Sequence, residues 1–78
     1  MTEEMAFTKT EKSVLKTFHE FLMRPGQMLC FYGPELERHR NALKGLTERK
    51  LLVKERFKGA YSLTVDGFSA MRFLAQVS

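Results

Sequence analysis

Val14, Leu15, Phe18, Phe21 and Leu22 recur at i, i+1, i+4, i+7 and i+8, one face of a helix, while Lys12, Lys16 and Glu20 fall elsewhere. Just upstream, Thr8-x-x-Glu11 has the form of a capping box, in which a hydroxyl and a carboxylate satisfy backbone donors left free at a helix start. A first helix is therefore predicted from Thr8, with residues 1–7 as a flexible tail and Arg24-Pro25-Gly26 as its stop. Gln27 to Gly33 (QMLCFYG) is apolar but too brief for periodicity to separate a strand from helix. A short helix or an extended segment is expected there.

Pro34 followed by Glu35 and Glu37 suits a helix N-terminus, where proline is tolerated and negative charge complements the macrodipole. The second long helix is predicted from Pro34 to about Lys50. Its buried stripe would be Leu36, His39, Ala42, Leu43 and Leu46, leaving Arg38, Asn41, Lys44, Gly45 and Glu48 outside and Arg40 on the flank. Leu51 to Phe57 alternates in its second half, with Val53, Glu55 and Phe57 against Lys54 and Arg56. Ala60 to Thr64 offers Tyr61 and Leu63 against Ser62, so the two runs form a hairpin turning near Lys58-Gly59. Thr64 is the expected N-cap of a last helix. Phe68, Met71 and Ala75 form one apolar stripe of that helix, and Phe73, Leu74 and Val77 widen it nearly around the cylinder. Such a helix wants a second partner, and a second copy of the chain, through Phe73, Leu74 and Val77, is the expected one.

Charge is local. From Arg38 to Lys58 there are eight basic residues (Arg38, Arg40, Lys44, Arg49, Lys50, Lys54, Arg56, Lys58) against two acidic ones, a net +6. The rest of the chain has five basic residues against seven acidic ones, a net −2, and together they give the formal +4. A polyanion would be drawn to one region, and nucleic acid is the common polyanion bound through clustered Lys and Arg. The plainer alternative is a solvated helix face followed by a charged hairpin.

The assembled order is helix, short element, helix, strand, strand, helix. Here the chain resembles winged-helix transcriptional regulators of the MarR and PadR type, through Leu43-x-x-Leu46-x-x-Arg49-Lys50-Leu51-Leu52 and Tyr61-x-Leu63-Thr64-x-x-Gly67. In that family the first pattern ends the recognition helix and enters a strand; the second is the return strand of the wing, capping the next helix. The resemblance implies a mainly α fold with a small β-hairpin (α+β), a winged helix-turn-helix. It departs in two places: only Gln27 to Gly33 is available for the scaffold helix, and Lys50 stands where the family often has Gly.

Under this reading Arg38 and Asn41 face base edges, since Arg pairs bidentately with guanine and Asn with adenine. Arg40 and Lys44 contact phosphate, and Lys54, Arg56 and Lys58 reach backbone or minor groove from the wing. The competing expectation for the helix is Arg–Glu pairing at i, i+3 or i+4 on a surface face, and for the hairpin, charges that blunt an exposed edge.

Seventy-eight residues make one small domain with little room for an active-site cleft. No carboxylate pair, phosphate-cradling Gly loop or triad spacing is present, so no enzyme is expected. His19, His39 and Cys30 lack metal-ligand spacing, so neither metal nor cofactor is expected, nor a small-molecule ligand. His39 is expected to be structural, and Cys30, between Leu29 and Phe31, a buried reduced thiol. With no long apolar run and no basic-then-apolar leader, neither membrane nor export is expected, and the location is cytoplasmic. The sequence therefore predicts a DNA-binding winged-helix protein, a small transcriptional regulator acting on double-stranded DNA. A winged helix serving as a protein-interaction module, or one binding RNA by shape, remains the alternative.

Overall fold

The structure, a computed structural model, describes residues 7–77, the side chain of Val77 excepted. Helix α1 (Lys9–Glu20) opens on the expected box: the Glu11 amide donates to the Thr8 hydroxyl (3.1 Å), and the Thr8 amide to the Glu11 carboxylate (3.0 Å). Val14, Leu15 and Phe18 fill its buried side. The helix ends earlier than its apolar stripe. Phe21 is the C-cap and Leu22 turns left-handed at φ +55°. The Leu22 amide donates to His19 (2.9 Å) and the Met23 amide to Phe18 (3.0 Å), the two bonds of a Schellman closure. Phe21 (63% exposed) and Leu22 (79%) consequently point outward instead of joining the core. Arg24 to Gln27 is a separate turn, closed by the Gln27 amide on the Arg24 carbonyl (3.0 Å), that delivers the next strand.

Residues 1–6 of the expected tail lie outside the described residues. Phe7, also assigned to that tail, packs against the core with the Arg49 guanidinium 4.4 Å from its ring centroid.

The apolar run after the turn is strand β1 (Met28–Cys30). Helix α2 (Pro34–Glu48) follows, with Pro34 in its first turn and Leu36, His39, Ala42, Leu43 and Leu46 buried, the full predicted stripe. It ends on a second Schellman closure, in which Lys50 is left-handed (φ +64°) and the Leu51 amide donates to Leu46 (3.0 Å). Gly45 is not on the outer face. A Cβ there would lie 2.7 Å from the Glu11 carboxylate, which the α1 cap and Arg49 (3.7 Å) hold against α2. Because β1 separates α1 from α2, no short turn joins two helices at this point.

Strands β2 (Leu52–Lys54) and β3 (Ala60–Leu63) form the hairpin, with Leu52 opposite Leu63 and Lys54 opposite Tyr61. β1 pairs on the other side of β3, Met28 opposite Ser62, so the antiparallel order is β1-β3-β2. As the middle strand β3 is buried at all four residues, and the Ser62 hydroxyl donates to Glu55 (2.5 Å). The phase of β2 differs from the one its alternation suggests: Leu52 faces in, and Val53 and Phe57 are exposed. Pairing with Leu63 sets that phase, since a one-residue slip would turn every side chain to the other face. Cys30, one position from inward-leaning Leu29, is likewise exposed rather than buried.

Phe31 sits at the centre of the core, its ring 6.1 Å from Phe18, 5.9 Å from His39 and 6.5 Å from Tyr61. Its carbonyl requires glycine at Gly59 (φ +77°), where a Cβ would come within 1.9 Å of the oxygen. The Phe31 amide donates to the Gly59 carbonyl (2.7 Å), binding the hairpin turn to the end of β1.

Helix α3 (Val65–Val77) starts at the expected cap, the Gly67 amide donating to the Thr64 hydroxyl (2.9 Å). That hydroxyl also lies 2.9 Å from the Lys50 carbonyl and 3.1 Å from that of Leu51, so one side chain ties α3 to the end of α2. α1 packs against both α2 and α3. The fold is α+β, three helices and a three-stranded antiparallel sheet. Among the described residues no helix is long and apolar enough to cross a membrane.

Candidate nucleic-acid interface

Helix geometry sets the two candidate arginines of α2 apart. Two positions along a helix are about 160° apart around its axis, so Arg38 and Arg40 occupy opposite flanks. Arg38 lies on the α1 side, beside a cleft lined by Lys9, Thr10, Ser13 and Thr17. Arg40 lies on the sheet side. Asn41 and Lys44 are exposed between those flanks, Lys44 one turn beyond Arg40.

Both arginines hold glutamates three residues back. Arg38 bonds Glu35, and Arg40 bonds Glu37 at 2.5 Å. The hydrogen bond and charge of Glu37 raise the Arg40 pKa above its ordinary value. On the hairpin, the Lys54 ammonium of β2 sits 5.7 Å from the ring centroid of Tyr61 on β3, within cation–π range. Arg56 and Lys58 continue the charge through the exposed turn beyond β2.

Of the predicted residues, then, Lys44 lies about 40° from Arg40 around α2 and shares its flank, Asn41 sits on the outer face about 60° from Arg38, Lys54, Arg56 and Lys58 follow on the exposed hairpin, and Arg38 lies on the α1 side. Arg49 leaves the cluster altogether, drawn to Glu11 and Phe7. Glu37 and Glu48 are exposed among the α2 cations. Tyr61 was not singled out from the sequence as a site residue. Its signal was present in the strand pairing, because Lys54 lies directly across from it.

His39 is buried, and its Nδ1 is 2.8 Å from the Glu35 carbonyl, to which it donates as a core group. Among the described residues no group of three or more His, Cys, Asp or Glu could hold a metal ion. Comparison with protein-family models, with curated proteins and with solved structures finds no match to this chain.

Proposed function

We propose that the chain is a winged-helix DNA-binding module and a small transcriptional regulator. α2 enters the major groove and the β2–β3 hairpin lies along the backbone. The observation that carries this reading is that α2 packs against β2, so that the exposed cations of the helix (Arg40, Lys44) and of the hairpin (Lys54, Arg56, Lys58) lie on adjoining elements. The sheet order is compatible with a winged-helix layout that has one helix, instead of two, between its first strand and its wing. Asn41 reads a base edge, Arg40 and Lys44 contact phosphates beside it, and Lys54, Arg56 and Lys58 follow the strand backbone. Arg38 meets the phosphates on the far side of the helix. A homodimer through α3, where Phe73 is 37% exposed and Leu74 half-buried, would present two such modules to paired half-sites. The side chain of Val77, the third residue of that contact, lies outside the described residues. Sedimentation at micromolar concentration that finds only the 9.1 kDa species removes the dimer.

The test is fluorescence anisotropy on mixed-sequence duplex DNA at two salt concentrations, comparing wild type with Arg40→Ala/Lys54→Ala. Binding should weaken with salt at a log-log slope of about −0.9 per phosphate contacted, and the variant should lose both affinity and slope. A folded wild type that ignores DNA at low salt refutes the reading.

A second reading, a winged helix kept as a protein-interaction module, draws on the Arg38–Glu35 and Arg40–Glu37 pairs, which mask charge, and on the outward Phe21 and Leu22. Capture of a protein partner together with absent DNA binding would favour it.

A further inference from the structure

We propose that the groove between α1 and α3, on a surface separate from the DNA face, is a docking site for an acidic amphipathic helix of a partner protein. The groove encloses about 460 Å³, and its floor is apolar, built from Met71, Leu74 and Ala75 of α3. Its rim is basic. Lys9, Lys12 and Lys16 recur at i, i+3 and i+7 along α1, and His19 closes the row one turn on, all four exposed. At 100° per residue these four fall within an arc of about 80°. Ser13 completes the lining, and among the described residues no carboxylate lines the groove. Glu11 is turned towards α2, engaged with the Thr8 amide and Arg49.

A solvated lysine face needs no apolar floor beside it, so the pairing of the two selects the occupant. Met71 is 3% exposed, which sets the floor below the rim. A flat bilayer cannot reach it, whereas the apolar edge of a helix can, lying alongside α1 as a third helix at the usual spacing of about 8–10 Å. The α3 dimer contact shares only Leu74 with this groove; a second copy docking in the groove itself by two-fold symmetry would bring the lysine row against itself, a like-charge contact. Carboxylates at i, i+3 or i+4, and i+7 on the incoming helix match Lys9, Lys12 and Lys16, and leucines between them cover Met71 and Leu74.

The probe is a synthetic helix of about four turns, leucine on one face and glutamate on its flanks, with a control in which lysine replaces every glutamate. Both are titrated into the full chain while backbone and methyl NMR shifts are followed. Saturable shifts at Met71, Leu74, Ala75 and the α1 lysines are expected with the glutamate helix only. Lys12→Glu/Lys16→Glu should weaken its binding at least about tenfold while keeping the circular dichroism and thermal midpoint of wild type. Equal binding of both peptides, shifts spread over the whole surface, or no saturable shift overturns the proposal. So does self-association of wild type with shifts at Met71, Ala75 and the α1 lysines, which the Phe73–Leu74 dimer contact would not give and which makes the occupant a second copy, or binding of the folded chain to phosphatidylglycerol vesicles through them. DNA binding is scored separately, so failure here leaves the DNA reading standing.

Discussion

Gly67 lies inside a helix, where replacing glycine by alanine ordinarily stabilises by about 1 kcal/mol. At this position the opposite sign is expected. A Cβ on Gly67 would stand 1.9 Å from the Leu51 carbonyl oxygen, 2.9 Å from its carbon and 3.2 Å from a Leu63 methyl. Carbon and carbonyl oxygen normally approach to about 3.3 Å, so the two backbones must part by more than about 1 Å. Leu51 is not free to yield, because its carbonyl takes the Thr64 amide (3.2 Å) and its own amide holds the end of α2. Opening the junction gives up the Thr64 bonds to Lys50 and Leu51, each contributing roughly 0.5–1.5 kcal/mol, and strains Leu63. Set against the propensity gain, Gly67→Ala should lose about 2 kcal/mol, a fall in Tm of about 8–16 °C for a domain of this size. Gly45→Ala is the control: its Cβ would push aside only the Glu11 carboxylate rather than backbone, and the contact weakened there is offset by the propensity gain, so it should stay within about 1 kcal/mol of wild type. Urea and thermal unfolding followed by circular dichroism measure both. If Gly67→Ala unfolds at or above the wild-type midpoint, the contact with Leu51 does not govern the junction and helix propensity alone does.

Two further substitutions test the helix ends. Lys50→Gly should raise stability by about 0.5–1 kcal/mol, because the left-handed strain of a side chain is relieved while the added freedom of the unfolded glycine takes part of the gain back. A lower urea midpoint would mean that the lysine stem packs in a way the backbone argument ignores. Glu11→Ala should cost about 1–2 kcal/mol by removing the acceptor of the Thr8 amide and the partner of Arg49, whereas Glu11→Gln, which keeps an acceptor, should lose less. Equal urea midpoints for the two variants would separate the carboxylate from the cap.

Patterns that close within a few residues were legible. The capping box at Thr8, the α2 stripe from Leu36 to Leu46 and the Thr64 cap each depend on neighbours one or two turns away. What the pattern hid depends on distant partners. β1 is a strand because β3 lies some thirty residues further on, and the inward phase of β2 follows from Leu63. Two helix ends rest on left-handed Leu22 and Lys50, where no glycine marks the stop. The candidate site divides in the same manner. The cations of α2 and the hairpin are exposed as their patterning suggests, yet the partners that place them lie far off in the chain: Tyr61 for Lys54 and α1 for Arg38.

The order β1-β3-β2 also bears on how the chain is made. The middle of the sheet is the last strand to leave a ribosome, and the two strands already present have no pairing with each other. Until residues 60–63 emerge, Leu29 and Leu52 have no sheet to belong to, and the aromatic centre around Phe31 lacks Tyr61. A nascent chain stalled on either side of that four-residue segment is therefore two different objects: before it, helices with open apolar faces and adhesive strand edges; after it, a sheet complete in all three strands.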